Sequence, residues 1–281
     1  MTAAPADTTT AARPPARPDR ARLRLLPLWA FCALVGAWLV LPALVVVPLS
    51  FTDKASLAFP PTGWSTRWYA NFFTDPQWSR SLLDSLTVAL AVTATATVLG
   101  TAAALGLTRA RIGGLPLAQG ALLAPVIVPG VVVAIGMYGL FLQLRLTGTF
   151  FGFLMAHTVL ALPFVVIPVT AALRGFDTRY EQAAAVMGAG RLTAFRTVTL
   201  PMIAPGVAAG ALFAFVTSFD EVVVSLFVQS PYLRTLPVQM YSSVTRDTDP
   251  TIAAAATLII CTTTALVTAA ALLMSRRSHA G

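Results

Sequence analysis

Charged and titratable side chains are sparse in this sequence, so those embedded in long apolar runs are the first candidates for chemistry. Asp220 and Glu221 adjoin each other at the end of one such run. His157 stands alone in another. Cys32 and Cys261 also fall in apolar runs, where a lone thiol behaves as a small hydrophobe; they indicate neither a disulfide framework nor a metal site. A membrane-embedded enzyme would need convergent His, Asp or Glu groups, and only His157 is available to join the acid pair. The single lysine, Lys54, lies in SFTDKAS, and G-x-x-x-x-G-K-[ST] is absent, so no phosphate-cradling P-loop can form. These residue types point to binding and movement rather than covalent chemistry, and they assign no catalytic residue, metal or cofactor.

Depth sharpens the acid pair. Counted from Gly206 at ~1.5 Å per residue, Asp220 and Glu221 lie about 22 Å along a helix, in the outer half of a ~30 Å hydrocarbon core. An acid there costs roughly 2.5 to 3.5 kcal/mol, so it should face the bundle interior or a water-filled path. Two readings follow: the pair attracts a cationic solute, or it hydrogen-bonds a facing helix or a partner subunit. Tyr232 and Tyr241, in the last outer segment, offer either cation–π faces or interface anchors. His157 is open to a functional or a hydrogen-bonded structural role.

The elements that must position these groups are membrane helices. Of the 281 residues, 57% are hydrophobic and 11% charged, with a mean hydropathy of +0.77. A water-soluble domain does not have this composition, so lipid is the solvent. Uncharged runs cover 25–52, 85–108, 112–144, 146–173, 197–219 and 250–275, each longer than the ~20 residues that a spanning helix needs. They are continuously apolar and lack the dyad alternation of a barrel strand. The expected fold class is therefore all-α, a polytopic membrane protein with six transmembrane helices. The first run is too long for a signal-peptide core and reads as a retained helix.

The net charge of +8 reflects topology rather than nucleic-acid binding. With the N-terminus cytoplasmic, Arg13, Arg17, Arg20, Arg22, Arg24, Arg109, Arg111, Arg174, Arg179, Arg191, Arg196, Arg276 and Arg277 all lie inside, thirteen of nineteen basic residues. Both termini are thus expected in the cytoplasm. The first outer segment carries Trp64, Trp68, Tyr69, Phe72, Phe73 and Trp78; Ser65 can cap a short helix there, lying on the membrane surface or offering a docking face. The second run is rich in small and hydroxylated residues, as a tightly packed helix would be. The third holds Pro125, Pro129, Gly130, Gly136 and Gly139, which admit a kink or a local conformational change. No internal repeat of the inverted-topology kind is visible, and only Asp220 and Glu221 would serve a secondary transporter.

The longest charged connection, RGFDTRYEQAAAVMGAGRLTAFRTVTLP, joins the fourth and fifth runs. Thr178 and Glu181 have capping-box spacing, and Gly188 is a left-handed terminator. Thr193 can cap a second short helix whose apolar face is Phe195 and Val198, with Pro201 and Pro205 bracketing the return to the membrane.

These residues resemble the signature of ATP-binding-cassette (ABC) importer permeases: Glu-Ala-Ala, three residues, Gly, nine residues, Ile, one residue, Leu-Pro. Ala183, Ala184, Gly188, Leu200 and Pro201 fall on the pattern, with Val198 in the Ile position. The first position holds Gln182, and the carboxylate stands one place earlier at Glu181. The resemblance implies that this loop carries a coupling helix, which sits in a cleft of a separate ATPase and moves with it. Those eight residues are the expected coupling set.

The segments SFDEVVVSLFVQSP, TLPVQMYSSV, DPTIAAAATLI and GWSTRWYANFFTDPQWSRSLLDSL resemble the spermidine/putrescine permease subfamily. That implies a small-molecule substrate, a polyamine, with importers of ferric iron, thiamine or an aminophosphonate as alternatives. Implied partners are ABC ATPase subunits, a second permease subunit and an extracytoplasmic solute-binding protein. The expected organisation is a disordered tail over 1–26, the first helix and its outer segment over 27–80, the importer transmembrane domain over 81–275, and a cytoplasmic tail over 276–281.

Overall fold

Long apolar stretches with good helix formers become helices wherever the chain must satisfy its own backbone groups without water. The computed structural model describes residues 20–110, 114–246 and 249–278. Twelve helices follow one another there: α1 Arg20–Leu49, α2 Arg67–Thr74, α3 Pro76–Arg109, α4 Leu115–Ile127, α5 Gly130–Leu144, α6 Phe150–Arg174, α7 Arg179–Val186, α8 Arg191–Ala194, α9 Leu200–Phe219, α10 Val223–Val228, α11 Leu236–Arg246 and α12 Thr251–Ser278. Extended pairing among the described residues is confined to two isolated bridges, Thr52 with Trp64 and Ser230 with Leu233.

Four stretches are long and apolar enough to cross a membrane: Pro27–Leu49, Pro76–Arg109, Phe150–Arg174 and Arg191–Phe219. Helices α4 and α5 reach that length only when taken together, as a broken span or a re-entrant loop. The last uncharged run is helical as α12. Helix α1 begins at Arg20, inside the stretch expected as a tail; residues 1–19 and 279–281 of the two expected tails lie outside the described residues.

The third run is not one kinked helix. Val128 is extended (ψ 134°) before Pro129, as the residue preceding a proline prefers, and α4 and α5 meet at 105° across this break. Proline ends the first helix by steric restriction and Gly130 opens the second.

The core of the bundle is the trio α3, α6 and α9, with Val92, Ala96, Phe153, Val165, Val169, Ile203 and Ala214 fully buried. Glycine permits this approach. A Cβ on Gly100 would lie 2.7 Å from the Val165 side chain, and one on Gly206 would lie 2.7 Å from Ala172 Cβ. In lipid there is no hydrophobic drive between helices, so such close backbone packing supplies the association.

A second cluster joins α2, α3, α11 and α12 through Phe72, Trp78, Leu236, Ile252 and Ala255. The expected aromatic surface helix is therefore largely pinned. Trp68 Nε1 donates to the Thr52 carbonyl (2.8 Å), Tyr69 shares a hydrogen bond with Ser50 Oγ (2.6 Å), and Asn71 Nδ2 donates to Thr251 Oγ1 (2.9 Å). Trp64 and Phe73 remain exposed. By contrast α1 touches the bundle mainly along α12 and turns Trp29, Phe31 and Trp38 outward.

Candidate functional site

Two places concentrate the polar groups singled out in the sequence. The first is the hairpin between α6 and α9. Asp177 Oδ1 accepts from the Arg179 amide (2.9 Å), while Thr178 makes no side-chain cap. The expected capping box is thus absent, because Glu181 is engaged elsewhere. Its Oε1 accepts from Arg109 Nη2 at 2.5 Å and from the Thr199 hydroxyl. Charge-assisted bonds of this kind are about twice as strong as neutral ones, which outweighs a local return to the helix end.

Gly188 ends α7 as expected, with φ +87°. Its amide donates to Ala185 O (3.0 Å) and that of Ala189 to Ala184 O (2.9 Å), the paired bonds of a Schellman motif. Gln182 and Ala183 face solvent, Ala184 is half-buried, and the outermost residues of the turn are Val186 and Met187, each 87% exposed. Leu192 and Tyr180 are exposed beside them.

Beyond the turn, Thr193 does not cap a separate helix. The helix already starts at Arg191 behind Gly190, and the Thr193 carbonyl accepts from the Thr197 hydroxyl (2.7 Å). Residues Phe195–Thr199 form a wide π turn that carries α8 without interruption into α9. Leu200 N–H closes this turn on the Phe195 carbonyl. Proline at 201 has no N–H to give and would crowd the carbonyl four residues back, so the wider turn accommodates it. Val198 and Leu200 are half-buried and Pro201 is exposed on this continuous helix.

The second place is the break after α9. Glu221 Oε1 accepts from the Val224 amide and Oε2 from the Ser225 amide, both at 2.9 Å, so this carboxylate caps α10. His157 is 1% exposed, with Nδ1 2.9 Å from Ser218 Oγ and Nε2 3.0 Å from Ser225 Oγ; Glu221 Oε2 lies 3.9 Å from Nε2. This histidine pins both sides of the break to α6.

Asp220 is exposed and lines a cavity of about 330 Å³ with Phe219, Val222, Pro237, Met240 and Ile259. Tyr232 lines a different cavity, of about 290 Å³, with Arg80, Asp84, Arg234 and Gln239. Tyr241 is exposed on α11 and borders neither. The four expected path residues are therefore not gathered into one cavity. Among the described residues no group of three or more His, Cys, Asp or Glu side chains could hold a metal.

Sequence reasoning passed over Arg109, Thr199 and the exposed apolar residues Val186, Met187 and Leu192. The last three had a signal: large apolar side chains gathered at the tip of the most charged loop have the composition of a contact surface.

Comparison with known proteins fits this geometry. Residues 96–279 match the family described as "Binding-protein-dependent transport system inner membrane component". The chain is 34% identical over 224 residues to the spermidine/putrescine transport system permease protein PotC of Escherichia coli, covering 80% of this chain and 84% of that one. It is 33% identical to the putrescine transport system permease protein PotI of the same organism, covering 77% and 79%. In structure it is similar to a bacterial ABC transporter involved in the import of the acidic polysaccharide alginate, with TM-score 0.69, 14% identity and coverage of 93% of this chain and 99% of that one. Matched along most of its length by that family, the chain belongs to the binding-protein-dependent transport system inner membrane components and is a multi-pass inner-membrane permease subunit of an ABC importer, a transporter and not an enzyme.

Proposed function

We propose that this permease imports a polyamine, with ATP hydrolysed on separate subunits that seat the α7 hairpin. The observation that carries the coupling half is the exposed apolar tip, Val186 and Met187, held in shape by left-handed Gly188 on a hairpin that bears Ala183, Ala184, Leu200 and Pro201 at the signature positions. Closure of an ATPase pair would push this rigid hairpin, and because α8 is continuous with α9 the push enters a spanning helix directly. The working complex comprises this chain, a second permease, two ATPase subunits and an extracytoplasmic binding protein that delivers the solute. The arginine bias supports a topology with both termini and α7 in the cytoplasm.

For the cargo, the support is the likeness to PotC and PotI, whose names specify spermidine and putrescine, together with Asp220, an acid left open at membrane depth. Two measurements test the two halves. Gly188→Trp places a side chain where φ is +87°, a conformation that disfavours one, so the hairpin should deform and the ATPase should detach or lose solute stimulation. Copurification with unaltered stimulated hydrolysis would refute the docking surface. Uptake into vesicles holding the full importer should be competed by putrescine or spermidine and not by ferric iron, thiamine or an aminophosphonate; the opposite pattern would replace the cargo and keep the transporter.

A further inference from the structure

We infer that Glu181 and Arg109 form an internal strut that passes movement of the α7 hairpin to α3, a second route beside the continuous α8–α9 helix; the inference rests on the docking proposed above.

The geometry is specific. No residue of α7 is buried. Beneath the helix lies an open cavity of about 340 Å³ bounded by Arg109, Glu181, Ala185, Ala189, Arg191 and Ala194, so α7 bridges space rather than resting on packed core. The ring of Tyr180 meets Phe176, with centroids 6.4 Å apart, and Phe176 packs against the bundle core, so this apolar contact steadies the start of α7 and carries no charge or directional bond across the cavity. One carboxylate oxygen crosses the gap. It takes the guanidinium of Arg109, the last residue of α3 and 72 positions away in sequence, and the hydroxyl of Thr199, which is fully buried in the π turn leading to α9. Among the residues with described side chains this is the only arginine–carboxylate pair within 4.0 Å, although the same loop offers Arg174, Arg179, Arg191 and Arg196.

A half-exposed pair of this kind adds little to folding, because solvent screens it and two long side chains must be ordered. Its consequence is directional. Both α3 and α9 pack on α6, so a displacement of α7 shared between them would move the trio as one body. With the pair cut, α7 would be held by the Tyr180–Phe176 contact at its start and by its chain ends, one of which is the glycine-containing turn Gly188–Gly190, and part of the push would be spent in the hinge.

The test uses the full importer in vesicles, with solute moved per ATP hydrolysed as the readout and ATPase copurification measured alongside. Glu181→Gln and Arg109→Gln should each lower that ratio by about fivefold, the double variant should fall no further, and the exchanged pair Arg109→Glu with Glu181→Arg should recover at least about half of the loss. Single effects that multiply in the double, or an exchanged pair as poor as the singles, would overturn the strut. A second measurement needs no ATPase: spin labels at Ala102→Cys and Ala183→Cys in the full chain carrying Cys32→Ser and Cys261→Ser should give one narrow distance distribution that broadens with Glu181→Gln. An unchanged distribution would also overturn it, whereas loss of ATPase from the unaltered complex would instead refute the docking surface.

Discussion

A carboxylate whose two oxygens both accept from backbone amides is fixed in a structural position, and this separates the adjacent acids at the end of α9. Glu221 holds the first amides of α10, while Asp220 faces an open cavity. Asp220→Asn should therefore raise the concentration of polyamine needed for half-maximal uptake by about two- to fivefold, the span of an exposed charge pair. Glu221→Gln keeps one acceptor and loses the other, so it should cost about 1 to 3 kcal/mol of stability and leave the half-saturating concentration of the assembled fraction unchanged. Uptake titrations beside thermal unfolding in lipid discs distinguish the two. His157→Ala belongs with Glu221: it strips partners from the buried hydroxyls of Ser218 and Ser225 and should destabilise by about 1 to 3 kcal/mol in the same unfolding measurement. At this scale the sequence disclosed which residues matter better than what they touch. Asp220 and Glu221 were visible as acids at depth, but their division of labour depends on where the helix breaks. Glu181 read as a cap because Thr178 stands three residues before it; its partner Arg109 is on another helix, beyond the reach of local spacing.

Elements show the same division between composition and geometry. The uncharged runs located the long helices, and the prolines and glycines of 125–139 marked a weak point, yet a proline specifies only that the ladder is interrupted and not that α4 and α5 diverge by 105°. Thr193 had the residue type of a cap, and the π turn that makes α8 and α9 continuous arises from Pro201 eight residues later. The small residues of the second run did predict close packing, and Gly100 shows where it occurs; Gly210 makes a similar close approach from α9. A Cβ at Gly210 would sit 3.1 Å from Val165 Cα, so Gly210→Leu must push α9 from α6 and should cost about 1 to 3 kcal/mol of stability. Gly106 on α3 has open space, and Gly106→Ala should match or exceed the unaltered protein because a helix interior favours alanine by roughly 0.5 to 1 kcal/mol. Thermal unfolding of the two variants in lipid discs checks the pair, and equal behaviour would mean that the α6–α9 contact is looser than drawn.

For the whole molecule, arginine placement predicts an orientation, while the use of α1 does not follow from this chain alone. Apart from its contact with α12, α1 presents apolar side chains to whatever surrounds it, and lipid and a second permease select for the same residues. Orientation is the testable part, and it decides whether the α7 hairpin can meet an ATPase at all. With the exposed thiols removed as Cys32→Ser and Cys261→Ser, single cysteines at Ala55→Cys and Met187→Cys report on opposite ends of the bundle. A membrane-impermeant maleimide should label position 55 in intact cells and position 187 only in inverted vesicles, where added ATPase subunits should slow the reaction at 187 and leave position 55 unaffected. Labelling of 187 from outside would invert the topology and remove the hairpin from any ATP-driven partner. Equal labelling rates with and without the ATPase would keep the topology but move the docking surface elsewhere. The outcome turns on the thirteen arginines expected on the inner side, since the apolar spans themselves are symmetric with respect to the two sides of the membrane and leave orientation to the loops that join them.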